Sequence, residues 1–326
     1  VIRTSRKEFV VVSGKGGTGK STLTSNLISL LSRSLKNVIV IDADADAPNL
    51  HLLLGVKIWD KVLSIKGSRV AYIDQERCIK CGTCVNVCPN LAIKSSDGEY
   101  YVNQLLCEGC ASCAFVCPAK AFRFREVLQG KIKLGKTKYG YPLISAEVPV
   151  GRSNTGKIVT EEKNLAMKII NNNTEHLILT DSAAGIGCQV IASLVGANLA
   201  ILVAEPTPAS LSDLRRVYNL ISHFGIPSVL VLNKDGISEK FKTKVIEFAK
   251  SQNIQLIGRI PYDENIPMTM SLMKPYVEIY PNSATSKYLN DIARKIQHIF
   301  ENYSEWYKNN RPKPKPYIPK IIKPYI

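Results

Sequence analysis

Eight of the nine cysteines in this 326-residue chain fall into two copies of one spacing, Cys-x2-Cys-x2-Cys-x3-Cys-Pro. The copies are Cys78, Cys81, Cys84, Cys88-Pro89 and Cys107, Cys110, Cys113, Cys117-Pro118. Thiols at this spacing read as a pair of cubane [4Fe–4S] sites in which the fourth cysteine of each run serves the other cluster. One site then takes Cys78, Cys81, Cys84 and Cys117, and the other Cys107, Cys110, Cys113 and Cys88. The two runs have to interlock, which few folds allow.

The repeat extends beyond the thiols. Tyr72-Ile-Asp-Gln75-x2-Cys78 recurs as Tyr101-Val-Asn-Gln104-x2-Cys107, an offset of 29 residues. Each copy continues through its Cys-Pro into a short apolar strand, over 91–94 or 121–124. Such duplication implies a pseudo-symmetric, bacterial-ferredoxin-like α+β domain over residues 65–126. Around it the chain changes character. Residues 8–13 (EFVVVS) form a β-branched run feeding a glycine-rich turn, with a helix expected over 20–34. A second strand, 37–42 (NVIVID), ends in an acidic loop. Beyond the cysteines come strands at 176–181, 199–204, 227–232 and 254–260, with helical patterns near 210–223 and 240–252. A last amphipathic helix is expected over 285–303. Strands alternating with helices predict an α/β fold with a doubly wound, mostly parallel sheet. Its ligand belongs at the carboxyl ends of the strands. The expected organisation is one domain in two parts, 1–64 and 127–305, interrupted by 65–126 and followed by a basic, Pro-rich tail at 306–326. Residues 127–157, rich in Lys, Gly and Tyr, read as a β-ribbon returning to the main sheet.

At 45% apolar composition the chain can bury one large core and a small second module. Residues 1–9 carry Arg3, Arg6 and Lys7 without the apolar run of a secretory leader. Thiols grouped at cluster spacing point to a reducing compartment, and the cytoplasm is the expectation. The uncharged stretch 182–204 is long enough to cross a bilayer. It is broken by Gly185, Gly187, Gly196 and Asn198, so it reads as a helix over 189–195, a turn and a buried strand. No membrane span is expected. The formal charge of +16 favours an acidic partner. Part of that charge lies in the tail, where Lys308, Arg311, Lys313, Lys315, Lys320 and Lys323 are interleaved with prolines and no acid, a composition that stays extended.

Gly14-Lys15-Gly16-Gly17-Thr18-Gly19-Lys20-Ser21-Thr22 follows the first strand and opens the first helix. Its glycines let backbone N–H groups face an anion, and the helix adds its N-terminal dipole. Lys20 would contact the β- and γ-phosphates of ATP, and the Ser21 hydroxyl would ligate Mg²⁺. With the additional Lys15, the loop resembles that of the MinD/Mrp/nitrogenase-iron-protein class of P-loop ATPases, and the chain looks like the MinD-type members carrying an inserted two-cluster ferredoxin domain. The resemblance covers about residues 7–303. It implies an ATP-dependent homodimer in which Lys15 reaches the partner's phosphates. It also implies that Asp44 orients the attacking water, that Asp42 and Asp181 lie around Mg²⁺, and that Asn233 and Pro261 border the adenine. Glu205-Pro206-Thr207 matches a family motif of unassigned role. Two departures stand out. Ala183-Ala184-Gly185 replaces the Pro-Pro-Gly or Pro-Ala-Gly of many relatives. Cys188 alone lies outside the cysteine runs, too few thiols for a cluster bridging two subunits, and it reads as a small buried hydrophobe.

The cysteine block begins after one nucleotide-sensing loop and ends before the other, the two segments a γ-phosphate rearranges in P-loop proteins. The leading expectation is ATP-gated electron transfer through two [4Fe–4S] clusters to a redox partner protein. The alternative is a carrier of the Mrp type that passes clusters to apo-protein clients. A ParA-like positioning role on nucleic acid, gripped by the basic tail, would show steep salt dependence. No helix-turn-helix or aromatic platform supports it.

Overall fold

Phe9, Val10, Val11 and Val12 are consecutive and have no exposed surface. In a computed structural model describing residues 6–149, 155–171 and 173–312, the reason is their central place in the sheet. Phe9 and Val11 join one core, whereas Val10 and Val12 join a second core on the opposite face. A strand covered on both sides needs no polar alternation.

The strands in chain order are β1 (Arg6–Ser13), β2 (Val38–Ala43), β3 (Trp59–Ile73), β4 (Ile93–Ser96), β5 (Glu99–Val102), β6 (Phe122–Lys136), β7 (Pro142–Glu147), β8 (His176–Ala184), β9 (Leu199–Ala204), β10 (Ser228–Asp235) and β11 (Gln255–Pro261). Nine form one sheet in the order β11-β10-β9-β1-β8-β2-β7-β6-β3, and β4 with β5 form a separate hairpin. From β11 to β7 all neighbours are parallel. The loops after β1, β2, β8, β9 and β10 therefore gather at one edge of the sheet. The helices Lys20–Leu31 and Ala284–Glu301 contribute to the first core, and Pro208–His223 and Glu239–Ser251 to the second. The apolar stripe Leu289, Ile292, Ala293, Ile296, Ile299 and Phe300 holds Ala284–Glu301 on the sheet. Gly258 in β11 permits this approach, since a Cβ there would collide with Ile292. This is the α/β sheet expected from the alternation of strands and helices.

The cysteine segment leaves the sheet at the opposite edge. β3 pairs antiparallel with β6 from Trp59↔Gly135 to Ile73↔Phe122. β6 pairs with β7 only from Lys131↔Glu147 to Lys136↔Pro142. The inner half of this ribbon belongs to the main sheet, and the outer half carries the cysteines. The pairing register shifts beside Lys66, next to Gly67, whose φ of +147° suits glycine alone.

Three expectations need correction. The strand read at 121–124 is the tip of the long β6, and its partner is β3, which begins before residue 65. Residues 127–157 do return as β structure, but the segment ends in a helix, Thr155–Ile169, with Ile158, Val159, Glu162, Leu165 and Ala166 buried. The tail starts later than position 306: Tyr303–Asn310 is helical, and Trp306 packs on the first core. Residues 313–326 lie outside the described residues.

Candidate functional site

Three loop carbonyls after β1 are held by side chains, which fixes the path of the glycine-rich segment. Ser13 Oγ donates to Lys15 O (2.7 Å), Lys234 Nζ to Gly17 O (2.8 Å) and Asn233 Nδ2 to Thr18 O (2.7 Å). Gly17 and Gly19 adopt φ of +76° and +94°, and a Cβ on Gly19 would strike Asn233 Nδ2. The loop runs into the helix Lys20–Leu31, whose first turn has no side-chain cap. Its free N–H groups and dipole suit an anion.

Beside this helix stand two adjacent buried carboxylates. Asp42 ends β2 and pairs in register with Asp181 of β8. Asp181 Oδ1 accepts from Thr24 Oγ1 (3.0 Å), and Ser21 also bonds its side chain. Asp42 Oδ2 accepts the N–H groups of Asn49 (3.1 Å) and Leu50 (2.9 Å). Asp42 Oδ1 and Asp181 Oδ2 have no hydrogen-bond partner among the described residues. Burial first, then the charge of Asp181, pushes Asp42 up to about 8. Burial likewise pushes Asp181 up to about 6. Two unsatisfied carboxylate oxygens this close are a donor set for a hard cation. Asp44 is half-buried, and burial raises its carboxyl while the Lys20 charge opposes that rise. The structure thus brings Lys20, Ser21, Asp42, Asp44 and Asp181 together. Asn233 is buried near the end of β10, which pairs with β11 through Asp235↔Pro261.

Several residues at this edge escaped sequence reasoning. Gln189 clamps the acidic loop, accepting from Ala45 N–H (3.2 Å) and donating to Asp46 Oδ2 (2.7 Å). Lys15 pairs with Glu205 at 2.8 Å. Glu162 is fully buried with neither carboxylate oxygen partnered among the described residues, and burial raises its carboxyl well above the usual range. No periodic or motif signal marks Gln189 or Glu162, whereas Lys15 and Glu205 each lie in a motif that did not foretell their pairing. Cys188 is exposed rather than buried, because it opens the helix Cys188–Leu194 at its solvent end.

At the far end of the ribbon the cysteines sort into two sets. One pocket is lined by Cys107, Cys110, Cys113 and Cys88. A second is lined by Cys78, Cys81, Cys84 and Cys117. Each pocket groups three cysteines of one run with the fourth of the other. Among the described residues no three His, Cys, Asp or Glu side chains converge tightly enough to hold a single metal ion. The backbone repeats with the sequence. Positive φ values recur at Lys80 and Gly109, Gly82 and Ala111, and Leu91 and Lys120, each pair 29 residues apart. Ala92 and Ala121 N–H donate to Cys88 Sγ (3.3 Å) and Cys117 Sγ (3.4 Å). Non-glycine residues in the left-handed region are costly, and here they wrap the chain around each cavity. The first cavity includes Ala71 and Phe124, nearer the root of the ribbon, and the second includes Ile73 and Phe122, nearer its tip.

Comparison with known proteins supplies the context. Residues 9–275 match the CobQ/CobB/MinD/ParA nucleotide binding domain. An uncharacterized protein of Methanocaldococcus jannaschii is 31% identical over 290 residues, covering 89% of this chain and 96% of its own. A second from the same organism is 32% identical over 303 residues, covering 91% and 97%. The solved structure of the septum site-determining protein MinD from Pyrococcus horikoshii, complexed with Mg-ADP, aligns with a TM-score of 0.54 at 19% identity. That alignment covers 90% of this chain and 97% of the other, and it speaks for the fold alone. No helix among the described residues is long and apolar enough to cross a membrane.

Proposed function

The chain belongs to the CobQ/CobB/MinD/ParA nucleotide-binding family, and from that premise we propose that it is an ATPase whose nucleotide state gates electron transfer through two [4Fe–4S] clusters. The observation that carries this reading is the pair of four-thiol cavities on a ribbon rooted in the same sheet as the phosphate loop.

A cubane takes one thiolate at each iron, so its ligands stand farther apart than those of a single ion. Four cysteines around a cavity, without tight convergence, fit that requirement. When bound, such clusters supply one-electron storage and transfer. The chain's own part is to wrap them, direct N–H groups at Cys88, Cys107 and Cys117, and shield one side with Phe122 and Phe124. Four thiolates per cavity leave no spare ligand position, which favours retained clusters over cargo for a client.

In the nucleotide site, Lys20 and the N–H groups of residues 14–22 hold the phosphates. Ser21, Asp42 and Asp181 surround Mg²⁺, Asp44 orients water, and Asn233 with Pro261 borders the base. Lys15 reaches the phosphates of a partner subunit in an ATP-dependent homodimer. Domain limits follow the same division, with the cluster unit near 65–126.

Two contacts give the ribbon access to the nucleotide loops. Val148, just past β7, donates its N–H to Ala45 O in the acidic loop (3.3 Å). Gly156 packs so closely on Cys188 that a Cβ would lie 2.9 Å from its carbonyl oxygen, while the next residue, Lys157, donates to Lys66 O at the ribbon's register shift (3.4 Å). The helix start at 155–157 thus touches both the segment after Asp181 and the base of the ribbon.

The test is iron analysis and EPR of the anaerobically reconstituted, dithionite-reduced protein with and without Mg-ATP, followed by stopped-flow oxidation with a viologen dye. About eight irons per chain and an ATP-dependent change in spectrum or rate are expected. Iron-free protein, or spectra and rates indifferent to ATP, would refute the proposal.

A further inference from the structure

Beside an anion-binding loop a buried carboxylate is out of place, yet Glu205 is only 5% exposed there. It follows β9, which pairs with β1 through Val12↔Leu202, so its loop lies next to the phosphate loop. Its two oxygens are divided between two lysines: Oε1 meets Lys15 Nζ at 2.8 Å and Oε2 meets Lys234 Nζ at 2.7 Å. Lys234 also donates to Gly17 O. The carboxylate is held from behind as well. Glu205 N–H donates to Ser210 Oγ (3.0 Å), and Thr207 Oγ1 donates to Glu205 Oε1 (3.4 Å) while capping the helix Pro208–His223. Burial works against its charge, but the two lysines hold its carboxyl below the usual range. Lys20, the other loop lysine, is buried and faces the charges of Asp44 and Asp181 instead.

We propose that Glu205 is a positioning residue that keeps Lys15 inside its own subunit and thereby sets the nucleotide threshold for dimer formation. This rests on the ATPase reading above. A phosphate competes with Glu205 for the Lys15 ammonium, and only an anion of higher charge density than a single carboxylate wins. Lys234 stays behind as the counter-charge, so the site never holds an unpaired buried acid. The ion pair acts as a latch between two positions of one lysine.

The experiment uses the full, cluster-loaded chain. Dimerisation is followed by light scattering against Mg-ATP concentration, with Mg-ADP affinity of the monomer measured on the same samples. Glu205→Gln, which keeps a hydrogen-bonding oxygen for one lysine, should lower the Mg-ATP concentration for half-dimerisation about ten-fold, equivalent to about 1.4 kcal/mol. Mg-ADP affinity of the monomer, which does not draw on a partner's Lys15, should move less than about two-fold in the same variant. Glu205→Asp, which keeps the charge on a shorter arm, should fall between wild type and Glu205→Gln, and it serves if the glutamine variant melts early. An unchanged midpoint, or an equal shift in monomer Mg-ADP affinity, would overturn the latch. Failure of wild type to bind either nucleotide would instead refute the ATPase reading itself.

Discussion

Replacing Asp181 with Asn should make the metal-free protein more stable while removing its response to Mg²⁺. Asp181 Oδ1 keeps its bond from Thr24 in the variant, because an amide oxygen accepts as a carboxylate does. The change falls on Oδ2, which has no partner among the described residues and stands next to the equally unsatisfied Asp42. Its carboxyl sits at about 6 instead of 3.8. That is roughly two powers of ten in acidity at about 1.4 kcal/mol each, so holding the ionised form inside the fold costs about 3 kcal/mol. The sign follows from proton linkage. Between pH 4 and 6 the folded form binds more protons at Asp181 than the unfolded chain. Stability from this residue is therefore greatest in acid and is lost as pH rises through 6, and Asp42 extends the decline to about 8. Urea unfolding in EDTA at pH 8 should show Asp181→Asn more stable than wild type by about 2–3 kcal/mol, with the gap closing below pH 4. Adding Mg-ADP should stabilise wild type and leave the variant almost unmoved. A variant less stable than wild type in EDTA at pH 8 would show that the pair is not strained, and the cation-site argument would fall with it.

Three further outcomes are expected. Cys88→Ala should remove the EPR signal of the cluster assigned to Cys107, Cys110 and Cys113 and spare the other, whereas loss of the Cys78–Cys84 signal would refute the crossing. Gly156→Val should leave Mg-ADP affinity within about two-fold of wild type but abolish any ATP-dependent spectral change, because a side chain there pushes against Cys188; intact coupling in that variant would rule out the helix start as the link. Glu162→Leu should raise the melting temperature, since a buried carboxyl without partners among the described residues is replaced by apolar volume on a face already carrying Ile158, Val159, Leu165 and Ala166, and a fall in Tm would point to an interaction that Glu162 makes.

What was legible in the sequence was what local chemistry dictates. The runs at β1 and β9 could only be strands buried on both faces, and the glycine loop could only connect a strand to a helix. Spacing alone suggests the crossing of Cys88 and Cys117, and the two pockets group the cysteines in the same way. Long-range pairing was not legible: β3 and β6 meet across the whole cysteine segment, and nothing local to Trp59–Ile73 names its partner. Thr155–Ile169 was hidden because its buried Glu162 and its partly buried Lys157 and Lys163 blur the helical stripe. Glu205 was visible only as part of a motif without a role and Gln189 as an ordinary polar residue, and only the sheet order brings the first to the phosphate loop and the second to the acidic loop. Cys188 defied its composition-based expectation because exposure at a helix start is set by the turn before it, not by the thiol.

The strand order gives a reason for the place of insertion. Asp42 and Asp181 sit on neighbouring strands, β2 and β8, and β7 pairs with the other side of β2 through Asp42↔Ser145. Everything from β7 outward, including the ribbon, therefore hangs on the strand that carries one of the two buried acids. A backbone displacement at Asp44–Ala45 reaches β7 directly through Val148, and a displacement after Asp181 reaches the ribbon base through Gly156 and Lys157. An insertion at the β11 edge would lack both contacts, since β10, β9 and β1 would separate it from Asp181 on β8, and β8 in turn from Asp42 on β2. The edge chosen is the one from which both carboxylate loops can be felt, and rigid pairing in the inner ribbon with a register shift at Lys66 places the give where the cysteine unit begins. Gly67→Val, which cannot keep that backbone angle and would crowd Lys157, should therefore disturb that point and damp ATP-dependent cluster spectra without changing cluster content, and an undiminished response would move the hinge elsewhere.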